Sequence, residues 1–200
     1  MFVQVMEGRV RDLDGLRAQL DRWRADLAPG ATGFLGTTAG TTSDGGFIAI
    51  VRFESEDAAR ANSERAEQGE WWATTSALYD GDVSFTNCPD VDTFGAGGSD
   101  DAGFVQVMKG RGDRAALREV AQQADEILSR ARPDVIGGTV AWPGDGTFIQ
   151  TVYFTSEEEA RANEKREPAT DEEREAWERM GSLMQVDTFL DITDPWLFSV

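Results

Sequence analysis

Residues 2–8 (FVQVMEG) alternate, with Phe2, Gln4 and Met6 on one side and Val3 and Val5 on the other, which is the period of a β-strand. Beyond Asp12 the period lengthens. Leu13, Leu16, Leu20, Trp23 and Leu27 recur every three or four positions, so they share one face of a helix that Asp12 caps and Pro29-Gly30 ends. Two more strands follow, at 32–40 and within 45–55, joined by a hairpin turn at Ser43-Asp44-Gly45-Gly46. Ser55 opens a second helix, a further helical stretch carries Trp71-Trp72, and residues 82–87 close the run as a fourth strand. The predicted order is βαββαβ.

The same order is then written again. FVQVMEGR at 2–9 returns as FVQVMKGR at 104–111, and GGFIAIVRFES at 45–55 returns as GTFIQTVYFTS at 146–156. From Phe34 to Arg65 the offset is a constant 101, so Ala59-Arg60-Ala61-Asn62 matches Ala160-Arg161-Ala162-Asn163. Asp113 replaces Asp12 as cap, and Leu117, Val120, Ala124, Leu128 and Ala131 form the second stripe before Pro133. Strands are predicted at 135–142 and 185–192, Ser156 with Glu159 reads as a capping box, and Trp177 stands where the first copy has its Trp pair. Residues 93–103 (TFGAGGSDDAG) are rich in Gly, Ser and Asp and read as a connector. The expected division is a first repeat at 1–94, a linker at 95–103 and a second repeat at 104–200.

A βαββαβ unit is a ferredoxin-like split βαβ fold, an antiparallel sheet with helices on one face only. The other face is apolar and must be covered. Two such sheets in one chain can cover each other, and this gives the duplication a physical purpose.

Composition narrows the chemistry. The 200 residues are 40% hydrophobic, with six Trp and eleven Phe, which suits a folded core. The net charge of −18 repels nucleic acid and anionic membrane surfaces, so neither is expected as a partner. No apolar run reaches the ~18 residues that a membrane helix needs. The N-terminus lacks a basic segment leading into an apolar one, and the lone Cys88 has no intrachain disulfide partner, so a cytoplasmic location is expected. There is no histidine. That removes Ser-His-Asp and Cys-His catalysis and the usual zinc sites. A carboxylate-only Mg²⁺ or Ca²⁺ site stays open, though no metal or cofactor is expected.

Element order, the FVQVM strand, the S-E-x-x-A-R-A-N helix start and the Trp-bearing second helix together resemble the dimeric α/β-barrel superfamily, and within it the antibiotic-biosynthesis-monooxygenase-like (ABM-like) domains. The resemblance covers most of the chain as two fused copies. It implies an α+β fold in which two ferredoxin-like repeats form one intramolecular barrel, a pseudo-dimer within a chain that is itself a monomer or a homodimer. It also implies a pocket for a small hydrophobic or aromatic molecule. In oxygenase members no cofactor is needed, because a substrate carbanion itself reduces O₂. Haem-degrading members hold iron through a His, which this sequence lacks. The expected function is a cofactor-independent monooxygenase of aromatic or polyketide-like substrates, with a non-catalytic ligand-binding or stress-related barrel as the alternative.

Several residues are candidates for that pocket. The resemblance points to Asn62 and Asn163, in equivalent positions, as amide donors to a developing negative charge. Local bonding to backbone would explain them equally. Trp71, Trp72 and Trp177 would wall a site for a flat ligand or pack between helix and sheet. Gln4 and Gln106 sit on the Phe2/Met6 side of their strands and need a partner if buried, either across the barrel or in a ligand. Arg52 and Tyr153 are equivalent yet differ, as an anion clamp and a general acid or hydrogen-bond donor, which would make the two pockets unequal.

Overall fold

The computed structural model describes the backbone of all 200 residues and the side chains of all but Ala124, Asp125 and Leu128. The part of the second helical stripe predicted at Ala124 and Leu128 therefore lies outside the described residues. The elements run β1 (Phe2–Gly8), α1 (Leu13–Arg22), β2 (Phe34–Thr41), β3 (Phe47–Phe53), α2 (Glu56–Ser63), α3 (Ala66–Ser76), β4 (Ser84–Cys88) and β5 (Asp90–Gly95). They continue as β6 (Phe104–Gly112), α4 (Arg114–Ala131), β7 (Val135–Gly144), β8 (Thr147–Phe154), α5 (Glu157–Glu164), α6 (Asp171–Leu183), β9 (Met184–Ile192) and β10 (Trp196–Ser199).

Two compact units result. The first is Met1–Asp90 with Trp196–Val200, and the second is Val91–Pro195. Each is α+β and ferredoxin-like, with strand order β2-β3-β1-β4 in one and β7-β8-β6-β9 in the other. Each sheet then gains a fifth strand from the far half of the sequence. β10 pairs antiparallel with β2, and β5 lies beside β7. The compact units are therefore cut differently from the sequence repeats. Residues 93–95, at the start of the sequence-read connector, are the end of β5, and the C-terminal tail is a strand of the first unit.

The local signals act as their chemistry requires. Asp12 Oδ1 accepts from Gly15 N at 2.9 Å, Ser55 Oγ from Ala58 N at 3.1 Å and Asp113 Oδ1 from Ala116 N at 3.0 Å. Ser156 Oγ accepts from Glu159 N at 3.2 Å, and the Glu159 carboxylate turns to the Thr155 and Ser156 hydroxyls. Asp145 and Gly146 both have positive φ (51° and 78°), the requirement of a tight type I′ hairpin between β7 and β8. α1 departs from prediction at both ends. Leu13, in the first turn, is 40% exposed, and Trp23–Leu27 continue as a π-helical turn with Trp23 and Leu27 both buried.

Alternation along the strands sorts the side chains. Phe2, Met6, Phe47, Ala49 and Phe53 join the clusters under the helices of the first unit. Val3, Val5, Ile48, Ile50 and Arg52, on the opposite parity, are also buried. In the second unit the helix-facing set is Phe104, Met108, Phe148, Val152 and Phe154.

Candidate ligand cavity

In the first unit the space between helices and sheet is filled with aromatic rings. Trp23 meets Phe34 edge-on at 4.9 Å and Trp71 at 6.5 Å. Trp71 and Trp72 lie 6.2 Å apart, and Trp72 reaches Tyr79 and Phe85. β10 completes the packing, since Trp196 stacks 5.6 Å from Phe47 and Phe198 lies 5.7 Å from Phe34. Two of the indole N–H groups are satisfied locally, Trp23 Nε1 by Gln68 Oε1 at 2.7 Å and Trp71 Nε1 by Gln19 O at 2.9 Å.

The corresponding space in the second unit is open. A cavity of about 1320 Å³ lies between α4, α6 and the sheet, walled on one side by residues 91–95 of β5. A volume of that size exceeds the usual range of small-molecule sites, ~300–1,000 Å³. The strand register fixes its floor. Asp191, Gln106, Val152 and Gly138 form one row across β9, β6, β8 and β7, and Phe189, Met108, Gln150 and Val140 form the next. Equivalent rows in the first unit read Asn87, Gln4, Val51, Thr37 and Phe85, Met6, Ala49, Ala39. The roof carries Leu117 and Ala121 from α4 and Trp177, Met180 and Gly181 from α6. Arg179 Nη1 ties α6 to α4 by donating to Gln123 Oε1 at 2.9 Å.

Polar groups gather at two ends of this apolar space. At one end Asp92 of β5 accepts from Arg114 Nε at 3.0 Å, Arg118 Nε at 2.9 Å and Trp142 Nε1 at 3.0 Å. Burial pushes the Asp92 pKa up, but the hydrogen bonds from Arg114 and Arg118 outweigh it and hold the carboxyl below its ordinary value. At the other end Asp191 accepts from Gln106 Nε2 at 2.9 Å and pairs with Arg161, which also meets Glu164 at 3.3 Å. Burial opposes the Arg161 charge, yet Asp191 and Glu164 win, so its pKa rises. Arg161 also lies over the Phe104 ring at 5.1 Å, and Arg132, on the cavity wall, pairs with the buried Asp134 at 2.8 Å. All three carboxylates on the wall thus face guanidinium groups.

Of the residues expected at a site, Gln106 and Trp177 line this cavity, Gln106 buried and Trp177 at 37% exposure. Gln4 donates to Asn87 Oδ1 at 2.9 Å, so each strand glutamine pairs with the neighbouring strand of its own sheet. Trp71 and Trp72 pack inside the first unit. Asn62 is buried and accepts from Arg65 Nη1 at 3.0 Å, while that guanidinium also donates to Leu27 O. Asn163 Nδ2 donates back to Glu159 O at 3.0 Å. Buried Arg52 donates to Thr38 Oγ1 at 2.9 Å and Ser199 Oγ at 3.1 Å, and Tyr153 is fully buried. Both occupy the strand parity that faces away from the helices, outside the cavity wall. Asp92, Arg118, Trp142 and Gln150 were not singled out by the sequence. The signal that could have found two of them is disagreement between copies, since Trp142 replaces Thr41 and Gln150 replaces Ala49. Cys88 is buried, and that pushes its thiol up to about 12, out of range for a nucleophile.

No family model and no curated protein matches the sequence. Solved structures do match in fold. A candidate monooxygenase from Fusobacterium nucleatum aligns over 99% of this chain and 94% of its own, with a TM-score of 0.74 at 8% identity. One from Lactobacillus acidophilus aligns over 99% of both chains, with a TM-score of 0.68 at 12% identity. An anthrone oxidase-like protein covers 98% of this chain and 92% of its own, with a TM-score of 0.57 at 11% identity. The likeness is one of fold alone: along nearly their whole length these chains share the α+β architecture of two ferredoxin-like repeats.

Proposed function

We propose that the second unit binds a flat, largely apolar small molecule between its helices and its sheet, and that the protein is a cofactor-independent monooxygenase of aromatic or polyketide-like substrates. The cavity carries this reading: about 1320 Å³ of space walled by aromatic, thioether and aliphatic side chains. Gln106 and Trp177 contact the ligand, and the first unit, filled by its own indoles, takes none. The fold neighbours described as candidate monooxygenases and as anthrone oxidase-like support the reaction class.

In that reaction an acidic CH₂ of the substrate loses a proton, and the resulting carbanion reduces O₂. One oxygen atom ends in the new C=O and the other leaves as water, so R₂CH₂ + O₂ gives R₂C=O + H₂O. The site's task is to bind, exclude bulk water and stabilise the carbanion by amide and guanidinium donors.

One observation favours the alternative, a ligand-binding protein without turnover. Asp92, Asp191 and Glu164 are all engaged by arginines, so none stands ready as a general base. Only a substrate acidic enough to ionise in the cavity would turn over. Titration with a tricyclic ligand, followed by Trp fluorescence, tests binding, and oxygen uptake with an anthrone tests turnover. Saturable binding with uptake supports the oxygenase. Binding without uptake over a panel of anthrones and quinols supports the alternative, and no binding contradicts both.

A further inference from the structure

Two amide side chains, Gln106 and Gln150, lie within the cavity floor, and Gln150 has Met108 and Val140 beside it and Val152 next along the same face. It is half-buried, and among the described residues no protein group hydrogen-bonds its amide. Gln106, in the adjoining row, is different, because its Nε2 is committed to Asp191. The copies disagree here in an informative way. Ala49 holds the equivalent position under the packed rings of the first unit, where an amide would have nothing to bond. A polar group that an apolar ligand covers without bonding weakens binding, whereas one that the ligand satisfies selects for it.

We infer that Gln150 recognises an oxygen substituent, carbonyl or hydroxyl, on the ring edge that a planar polycyclic ligand presents to the middle of the sheet. This rests on the cavity of the second unit being the ligand site. It adds which polar group the ligand carries and which residue reads it. The carboxylates of Asp92 and Asp191 are engaged by their own partners and Gln106 Nε2 is held by Asp191, so discrimination falls to the Gln150 amide.

Three matched tricycles test this by equilibrium binding to the full chain: 9-fluorenone (acceptor only), 9-fluorenol (donor and acceptor) and fluorene (neither). The wild type is expected to bind one or both oxygenated probes about tenfold tighter than fluorene, the scale of one well-made hydrogen bond against an unpaired amide. Gln150→Met keeps the side-chain length, removes the amide, and is expected to bring all three probes within about threefold of one another without weakening fluorene. Gln150→Ala, the residue of the first copy, serves if the Met variant misfolds. A preference for oxygen that survives both substitutions overturns the role of Gln150, as does equal wild-type affinity for fluorene. The double substitution Ala121→Trp with Val152→Trp fills the cavity from roof and floor and separates the two levels. If it abolishes binding while Gln150→Met has no effect on preference, the site stands and this inference falls. If it leaves binding unchanged, or if no tricycle binds the wild type, the site falls and the inference with it.

Discussion

The two units share a strand order, a helix-capping scheme and long stretches of sequence, yet one has aromatic rings between its helices and its sheet and the other has a cavity there. The difference comes from few positions. The first unit places Trp23, Trp71, Trp72 and Tyr79 under its helices and receives Trp196 and Phe198 from β10. The second keeps Trp177 at the rim, Trp142 turned to Asp92, and receives Asp92 and Phe94 from β5. Strand exchange is thus reciprocal in geometry and unequal in chemistry: one exchanged strand brings filling, the other brings a wall with a charge.

The largest effect expected from this comparison is on stability. Trp23→Ala removes a buried indole from the packed unit and should cost about 3–5 kcal/mol in denaturant unfolding. Trp177→Ala, at the rim of the open unit, should cost under about 1 kcal/mol yet weaken ligand binding. Similar costs for the two would break the contrast between filled and hollow.

Asp92 comes next. Its carboxylate gathers Arg114, Arg118 and Trp142, and Asp92→Asn should lose about 1.5–3 kcal/mol at neutral pH, the range for hydrogen bonds to a charged group. Its folded pKa lies below the unfolded value, so the unfolded chain takes up the proton first as pH falls. The stabilisation is complete above the unfolded carboxylate pKa of about 3.9 and is lost as pH drops through the folded one. The gap between wild type and Asp92→Asn should therefore be widest near neutrality and close in acid. A gap that widens in acid would contradict the assignment.

Asn62→Ala should cost about 1 kcal/mol, because Arg65 loses an acceptor beside Leu27 O, and should leave ligand affinity unchanged. A fall in affinity with stability intact would return Asn62 to the site. The smallest effect belongs to Gly69 and Gly181, helical glycines at which a Cβ would meet no atom within 4 Å. Alanine at either should stabilise by about 0.5–1 kcal/mol in a thermal melt, and only the change at 181 touches the cavity wall.

The βαββαβ order was legible because each element carries its own period and its own cap, from the FVQVM alternation to Asp12, Ser55 and Asp113. The exchange of β5 and β10 was not. Both strands are short, and their partners lie in the opposite half, so no local pattern in 90–95 or 196–199 names them. Gln106 and Trp177, the two expected residues that line the cavity, drew attention as a polar residue inside an apolar strand and an aromatic on the second helix. The same reasoning also chose Trp71 and Trp72, because a ring that walls a site and a ring that fills a core have one sequence signature. Arg52 and Tyr153 drew attention by disagreeing between copies. That rule suits Gln150 against Ala49 better, because residues 49 and 150 lie on the helix-facing parity and residues 52 and 153 do not.

Calorimetric titration of the full chain with a tricyclic ketone tests the central claim most directly, because it counts sites. One ligand per chain is predicted, with binding lost in the Ala121→Trp, Val152→Trp variant. Two ligands per chain, or one that persists when the second unit is filled, would contradict it.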